Sequence, residues 1–241
     1  MRTSTLIAFF LFSFVFVHGQ VWIELGGKAS YGLTGYYNSN IADDNSQEYQ
    51  LQGALSYGGV LGLNFGENHG LNVEALLLKN EQTVNFLDIL ELRQANTLIW
   101  ETLDFFLLYR FYTERGAYVE VGPKFSMVQT VEQNVAAFGG DKIEDRYNEN
   151  YYSAALGFGG FIAGSRAFTL KLGIRLEYAL TDLVADEGES FNYPAPYTQF
   201  ENDATTSPYR ASVGLELSFG LGGIAKSVCG RRVFMFGTRY R

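Results

Sequence analysis

The sequence predicts an all-β fold, an eight-stranded antiparallel up-and-down transmembrane β-barrel. Three observations support it: apolar and polar residues alternate through long segments, short and long connections alternate between these segments, and no stretch keeps a helical period over three turns. Residues 168–180 show the alternation most clearly, with seven apolar residues separated by six small, polar or charged ones. Strands of soluble domains most often have about 5–6 residues, so segments of this length favour a membrane barrel.

Eight segments carry this alternation and are predicted as strands: residues 22–37, 51–65, 71–80, 103–111, 118–128, 151–162, 168–180 and 210–219. The connections between them alternate in length. Those at 66–70, 113–116 and 163–166 have tight-turn compositions, whereas those at 38–48, 81–96, 132–150 and 181–207 are long. This plan is typical of outer-membrane barrels, whose short turns face the periplasm. An even strand number then places both chain ends in the periplasm.

The N-terminus predicts export. Arg2 precedes a continuous apolar run, residues 6–17, which has the length of a signal-peptide core and is too short for a membrane helix. We therefore expect a signal peptide at 1–19, an outer-membrane barrel at 20–220 and a basic periplasmic tail at 221–241.

The direction of the two strand faces follows from side-chain size. An eight-stranded barrel has an interior only just wide enough for side chains, so the faces rich in Gly, Ala and Ser should point inward and the bulky apolar faces toward lipid. Aromatic residues near both strand ends are expected to form two belts at the membrane surfaces.

The inward faces also carry charge. They hold six acids and six bases, namely Glu24, Glu74, Asp104, Glu120, Glu177, Glu216, Lys28, Arg110, Lys124, Lys171, Arg175 and Arg210. Charges in a narrow lumen must pair, because isolated buried ions are costly. We therefore expect these residues to form a lumen charge network that leaves little room for conduction.

The composition argues against several classes of function. A net charge of −8 argues against nucleic-acid binding, and a single Cys excludes an internal disulfide framework. His18 lies in the predicted signal peptide and His69 in a short turn, so His-based catalysis at the outer surface is excluded and we expect neither enzymatic activity nor a cofactor. The carboxylates of Asp182, Asp186, Glu187 and Glu189 suit Ca²⁺ in type but match no calcium-loop spacing, so no metal site is expected.

The long connections differ from the tail in charge. They contain seventeen acidic and three basic side chains, a net charge of −14, whereas residues 221–241 carry five basic ones. The last long loop also contains four aromatic residues that suit partner recognition: Phe191, Tyr193, Tyr197 and Phe200. The alternative interpretation is that these rings pack on one another or rest at the membrane interface.

Three segments carry a family resemblance: 103–111 (LDFFLLYRF), 119–123 (VEVGP) and 175–183 (RLEYALTDL). They resemble the PorT-like outer-membrane β-barrel family, which is akin to OmpX-type eight-stranded barrels. The resemblance implies an accessory role in a secretion or gliding machine. Residues 212–219 (SVGLELSF) are similar to the last-strand signal read by the barrel-assembly machinery, although about twenty residues follow them here.

Together these patterns predict a non-enzymatic outer-membrane barrel with a structural or interaction role, a closed polar lumen and acidic external loops. Outer-membrane lipid and the assembly machinery are its expected partners, and the tail is a candidate docking segment for a periplasmic protein. A narrow pore and a secretion or gliding accessory remain as alternatives. A third alternative is a soluble lipocalin-like carrier, in which the apolar faces would point inward.

Overall fold

The computed structural model describes residues 21–87, 90–135, 139–165 and 168–223, so the predicted signal peptide and most of the tail lie outside the described residues. The strands are β1 (Val21–Tyr37), β2 (Gln47–Gln50), β3 (Gln52–Phe65), β4 (His69–Leu87), β5 (Arg93–Tyr112), β6 (Ala117–Val135), β7 (Gly139–Lys142), β8 (Asn150–Gly164), β9 (Phe168–Ala179) and β10 (Ser207–Gly223). Two helical turns, α1 (Ser39–Ala42) and α2 (Asp186–Glu189), and a 3-10 turn (Glu144–Arg146) complete the elements. None of the helices in these ranges has the length and hydropathy needed to cross a membrane.

The eight long strands close into a ring. Each is antiparallel to its neighbours in the order β1, β3, β4, β5, β6, β8, β9 and β10, and β10 pairs back with β1, where Lys28 lies opposite Glu216. Closure removes the free edges whose backbone groups would stay unpaired in lipid. The structure therefore confirms the predicted fold class. Val21 and Gly223 lie at the end of the barrel that carries the short turns.

The two faces of the barrel wall point as predicted. Leu107 and Tyr109 of β5 are 47% and 46% exposed on the outside, whereas Asp104 on the same strand is 1% exposed in the lumen. This is the inverse of a soluble barrel, in which apolar side chains fill the interior. The lipocalin-like alternative is therefore wrong.

Adjacent glycines on β3 show how tightly the interior is packed. A Cβ added to Gly58 would lie 2.0 Å from the carbonyl oxygen of Ala75 on β4, whereas a Cβ on Gly59 would meet nothing within 4 Å. We expect Gly58→Val to destabilise the barrel by about 1–3 kcal/mol, because the neighbouring strand must shift. Gly59→Val should be neutral or slightly stabilising, since it adds a β-branched side chain to the outer face. Urea unfolding of both variants in lipid vesicles measures the difference, and equal stabilities would contradict the close approach of β3 and β4.

The predicted long connection at 81–96 is wrong. β4 and β5 stay paired through most of this range, up to residues 87 and 93, so only five residues separate the two strands, and β6 likewise extends to residue 135. The alternation inverts beyond the outward ion pair Lys79–Glu101, whose charged atoms are 3.2 Å apart. Above this pair several inward side chains, such as Val84 and Trp100, are apolar and buried. A sheet with one face in water has this pattern. Strands predicted from a lipid-facing apolar stripe alone are therefore too short.

Three layers of side chains fill the barrel. At the short-turn end Tyr112, Tyr118 and Phe161 form an aromatic cluster. The middle layer holds the charged residues. At the opposite end an apolar cluster centred on Trp100 packs beneath residues 181–206, which we call loop 4. Two short strands that the sequence pattern did not predict, β2 and β7, pair with the upper parts of β4 and β6.

Candidate functional site

The lower part of the lumen, toward the short turns, contains eight of the twelve predicted charges in one ion-paired group, which we call network A. Its members are Glu24, Lys28, Glu74, Arg110, Glu120, Lys171, Arg175 and Glu216. Arg110 has three ionic partners, and its Nη2 lies 2.7 Å from Glu120 Oε2 and 2.9 Å from Glu216 Oε2. Arg175 bridges Glu74 at 2.7 Å and Glu120 at 2.6 Å. Four acids and four bases make network A neutral.

The other four charges lie higher in the lumen and form network B. Lys124 Nζ donates to Glu177 Oε2 at 2.8 Å and to Asp104 Oδ2 at 3.2 Å. Arg210 Nη1 lies 3.6 Å from Glu177 Oε1, and its Nη2 donates to the hydroxyl of Ser30 at 3.0 Å. Two acids and two bases make network B neutral as well.

The side chain of Phe106 lies between the two networks. Its ring centroid is 4.7 Å from the Arg175 guanidinium carbon of network A and 5.7 Å from Lys124 Nζ of network B. Among the described residues no ion pair within 4.0 Å joins the two networks. Eleven of the twelve charged residues are at most 5% exposed, and the side chain of Lys28 is 9% exposed. Each group of buried charges is thus balanced within itself.

Loop 4 closes the end of the lumen opposite the short turns. The carbonyl oxygen of Pro194 accepts hydrogen bonds from Asn96 Nδ2 and Gln133 Nε2, both at 2.8 Å. Tyr197 stacks on Phe86 with ring centroids 3.6 Å apart and an angle of 10° between the planes. The loop therefore binds to the inner faces of the extended strands by polar and aromatic contacts together.

The four loop aromatics divide into two groups. Tyr193, Tyr197 and Phe200 are partly buried against the Trp100 cluster. Phe191 is 55% exposed, and the guanidinium of Arg146 lies 4.3 Å from its ring centroid. Packing within the protein thus accounts for three of the four rings, and Phe191 is the only one of them that is mostly exposed.

The contact between loop 4 and the extended strands includes residues that the sequence pattern does not assign to a site. Asn96 was placed in a predicted loop and Gln133 in the next one, yet both are buried and bind Pro194. Their signal was present in the sequence, because each lies two positions from an apolar residue, Leu98 or Val131, on the same strand face, and those residues are buried. The contact to Pro194 depends on tertiary structure and has no local signal.

Candidate catalytic and metal-binding side chains are placed as follows. His69 is exposed at the short-turn end, where its Nδ1 lies 2.6 Å from the Tyr109 hydroxyl. In the part of the chain that the structure describes, no three His, Cys, Asp or Glu side chains are grouped as for a metal ion. The Asp182 carboxylate instead accepts backbone N–H groups of Val184 at 2.8 Å and Thr206 at 3.1 Å, which joins the two ends of loop 4.

The acids of loop 4 predict a pH dependence. Burial raises the pKa of Asp182, although its backbone hydrogen bonds act against this, and burial together with the carboxylates of Asp182, Asp203 and Asp186 raises the pKa of Glu189. A carboxyl with a raised folded-state pKa stabilises the fold fully below the unfolded value of about 4 and loses that stabilisation as the pH rises through the folded value. We expect loop 4 to be held more firmly in mild acid than at neutral pH. Hydrogen exchange of residues 183–206, corrected for the intrinsic rate, measures this, and protection that rises with pH would contradict it.

Comparison with known proteins identifies the family. The family model described as outer membrane protein beta-barrel domain matches residues 20–185. Among solved structures the chain is similar to OprG of Pseudomonas aeruginosa (10% identity, 83% of this chain and 96% of that one, TM-score 0.41) and to Neisserial surface protein A (13%, 82% and 97%, 0.42). It is also similar to the N-terminal barrel domain of Pseudomonas aeruginosa OprF (15%, 85% and 100%, 0.35). A search of curated protein sequences finds no match. Because the family model covers more than half of the residues, the chain belongs to the outer membrane protein β-barrel domain family.

Proposed function

We propose that this protein is a non-enzymatic outer-membrane barrel whose role is structural or interactive and whose lumen is closed. The observation that carries the proposal is the filling of the lumen at every level. Networks A and B occupy its middle, the Tyr112 cluster lies at the short-turn end and loop 4 covers the other end. A barrel without a continuous water-filled lumen acts through the surfaces that it presents.

The presented surface is acidic. In outer-membrane barrels the long loops face outside and the short turns face the periplasm, so the long-loop end of this barrel would meet the environment and both chain ends the periplasm. The exposed acids there include Asp43, Glu144, Asp186 and Glu201. Such a surface favours partners with basic patches, and salt should weaken their binding.

A pull-down with the full chain in lipid nanodiscs tests this role. A variant with Asp43→Asn, Glu144→Gln, Asp186→Asn and Glu201→Gln should lose partners that the natural sequence retains from detergent extracts. A control with Glu67→Gln and Glu114→Gln removes charge at the short-turn end and should retain them. Equal retention by all three proteins, or no retained partner, would contradict the interaction role.

The PorT-like resemblance supports a second candidate, an accessory of a secretion or gliding machine. The basic tail at 221–241 would bind a periplasmic component, but its residues 224–241 lie outside the described residues. In the same pull-down, deletion of residues 224–241 separates the candidates. Loss of partners on tail deletion, with retention by the loop variant, would favour the machine component.

A narrow pore is favoured by one feature of the lumen. A polar cavity beside Lys28 in network A is lined by Ser30, Ser212, Gly214 and Glu216. Water in such a cavity could pass through the barrel only if the neighbouring ion pairs rearranged. Conductance measurements therefore separate a pore from a closed barrel.

Assembly would involve the last strand. The outward side chains of β10 include Val213, Leu215, Leu217 and Phe219, all of them 40% exposed or more. They form the apolar stripe of the segment that resembles the assembly signal, and β10 closes the ring against β1. We propose that the assembly machinery binds this stripe before closure and that outer-membrane lipid covers it afterwards.

A further inference from the structure

The small polar cavity in network A lies where three glycines meet on the inner wall of the barrel. Gly159, Gly173 and Gly214 are neighbours on β8, β9 and β10, so three adjacent inward positions carry no side chain. The ring of Tyr118 covers the first two, since a Cβ on Gly173 would lie 2.5 Å from its hydroxyl oxygen. The space beside Gly214 stays open, and this is the cavity that Lys28 lines.

The size of the cavity restricts what it can hold. Its volume is about 10 Å³. A buried water molecule needs about 10–15 Å³ on the same measure, so the cavity has room for one water and for nothing larger. Cavities with apolar walls stay dry, whereas those with polar walls hold water. The polar side chains that line this cavity include Lys28, Tyr118, Glu120, Arg175, Ser212 and Glu216.

Three of the lining side chains have hydrogen-bonding groups to spare. Lys28 Nζ carries three N–H groups, yet both of its hydrogen bonds go to the Glu74 carboxylate, at 3.2 Å to each oxygen. The hydroxyls of Ser212 and Tyr118 have no partner within the described protein, although these residues are only 5% and 4% exposed. A buried polar group without a partner is costly, so these three groups favour a ligand that can bond to all of them.

The charges around the cavity favour a neutral ligand. Its lining contains two bases, Lys28 and Arg175, and two acids, Glu120 and Glu216. Network A as a whole is neutral, so an ion of either sign would add an unbalanced charge to a buried site. Water is neutral, donates as well as accepts, and makes about three hydrogen bonds in buried sites of this kind.

We propose that this cavity is a binding site for one ordered water molecule, which is a permanent member of network A. The water accepts a hydrogen bond from Lys28 and bonds to the hydroxyls of Ser212 and Tyr118. These side chains belong to β1, β10 and β6, so the water connects the pair of strands that closes the ring to a strand farther around it. The site does not depend on the proposed function, because the water would be held in a closed or a conducting barrel.

A high-resolution crystal structure of the full chain, with oxygen-17 relaxation dispersion in lipid nanodiscs, tests the site. We expect density for one water about 2.7–3.2 Å from Lys28 Nζ and from the hydroxyl oxygens of Ser212 and Tyr118. Gly214→Ala puts a methyl group into the cavity and should remove both the density and one long-lived water from the relaxation signal. Gly59→Ala adds the same methyl group to the outer face, where it would meet nothing within 4 Å, and should keep both.

A double variant, Ser212→Ala with Tyr118→Phe, removes two hydrogen-bond partners without adding a carbon atom and tests the same site if Gly214→Ala does not fold. It should also lose the long-lived water. Three results would overturn the proposal. The first is a cavity without density in the natural sequence. The second is a relaxation signal that neither variant changes, which would place the water elsewhere. The third is an anomalous signal in the cavity of crystals grown in bromide, which would make it an anion site.

Discussion

Replacing Arg110 with methionine is expected to lower the free energy of unfolding by about 3–5 kcal/mol, the cost of breaking a buried ion pair from one side. Arg110 is fully buried and contacts Glu120, Glu216 and, at 3.7 Å, Glu74. Its loss leaves network A with a net charge of −1 among side chains that are almost entirely buried. Urea unfolding in lipid vesicles, followed by tryptophan fluorescence, measures the change.

Two double variants then test whether neutrality is local. Adding Glu216→Gln to Arg110→Met restores a neutral network A, because three acids and three bases remain, so part of the lost stability should return. Adding Glu177→Gln leaves network A negative and makes network B positive, so it should restore none of the lost stability. Equal rescue by the two second substitutions would show that only the total lumen charge matters. That result would contradict the division at Phe106.

The second large effect concerns loop 4. Replacing residues 193–200 by a Gly-Ser segment of equal length removes the Tyr197–Phe86 stack and frees the backbone at residue 194, so its carbonyl is no longer held against Asn96 and Gln133. We expect hydrogen exchange of the extended parts of β4 and β5 to quicken at least about tenfold, since these segments would open locally. The lower barrel should keep its protection.

A single substitution provides the control for this experiment. Phe191→Ala removes the exposed ring of the same loop and should leave exchange in β4 and β5 unchanged. If the loop replacement also leaves that exchange unchanged, loop 4 rests on the barrel without stabilising it. Loop 4 would then not close this end of the lumen.

The barrel itself could be predicted from the sequence because one physical rule governs each spanning strand. In β9 the alternation of residues such as Leu172 and Leu176 with Lys171 and Arg175 sets both the strand and its direction in the wall. The same rule no longer holds at the membrane surface, beyond Lys79 and Glu101, where several inward positions become apolar. The extensions of β4, β5 and β6 and the strands β2 and β7 were missed for that reason.

The candidate site was predictable in its membership but not in its connections. Alternation alone puts all twelve charges on inward faces, and the structure places every one of them there. Which acid meets which base depends on strand stagger around the ring, and so does the separation at Phe106. The packing of Tyr197 on Phe86 joins residues 111 positions apart and has no local signal.

Single-channel recording of the full chain in a planar lipid bilayer tests the closed lumen most directly. A continuous water path would require both the ion-paired side chains and loop 4 to move. We therefore expect no stable conductance steps from the natural sequence. Replacement of residues 193–200 alone should not create them, because networks A and B still fill the lumen below. Large, stable steps from the natural sequence would contradict the closed barrel and establish a pore.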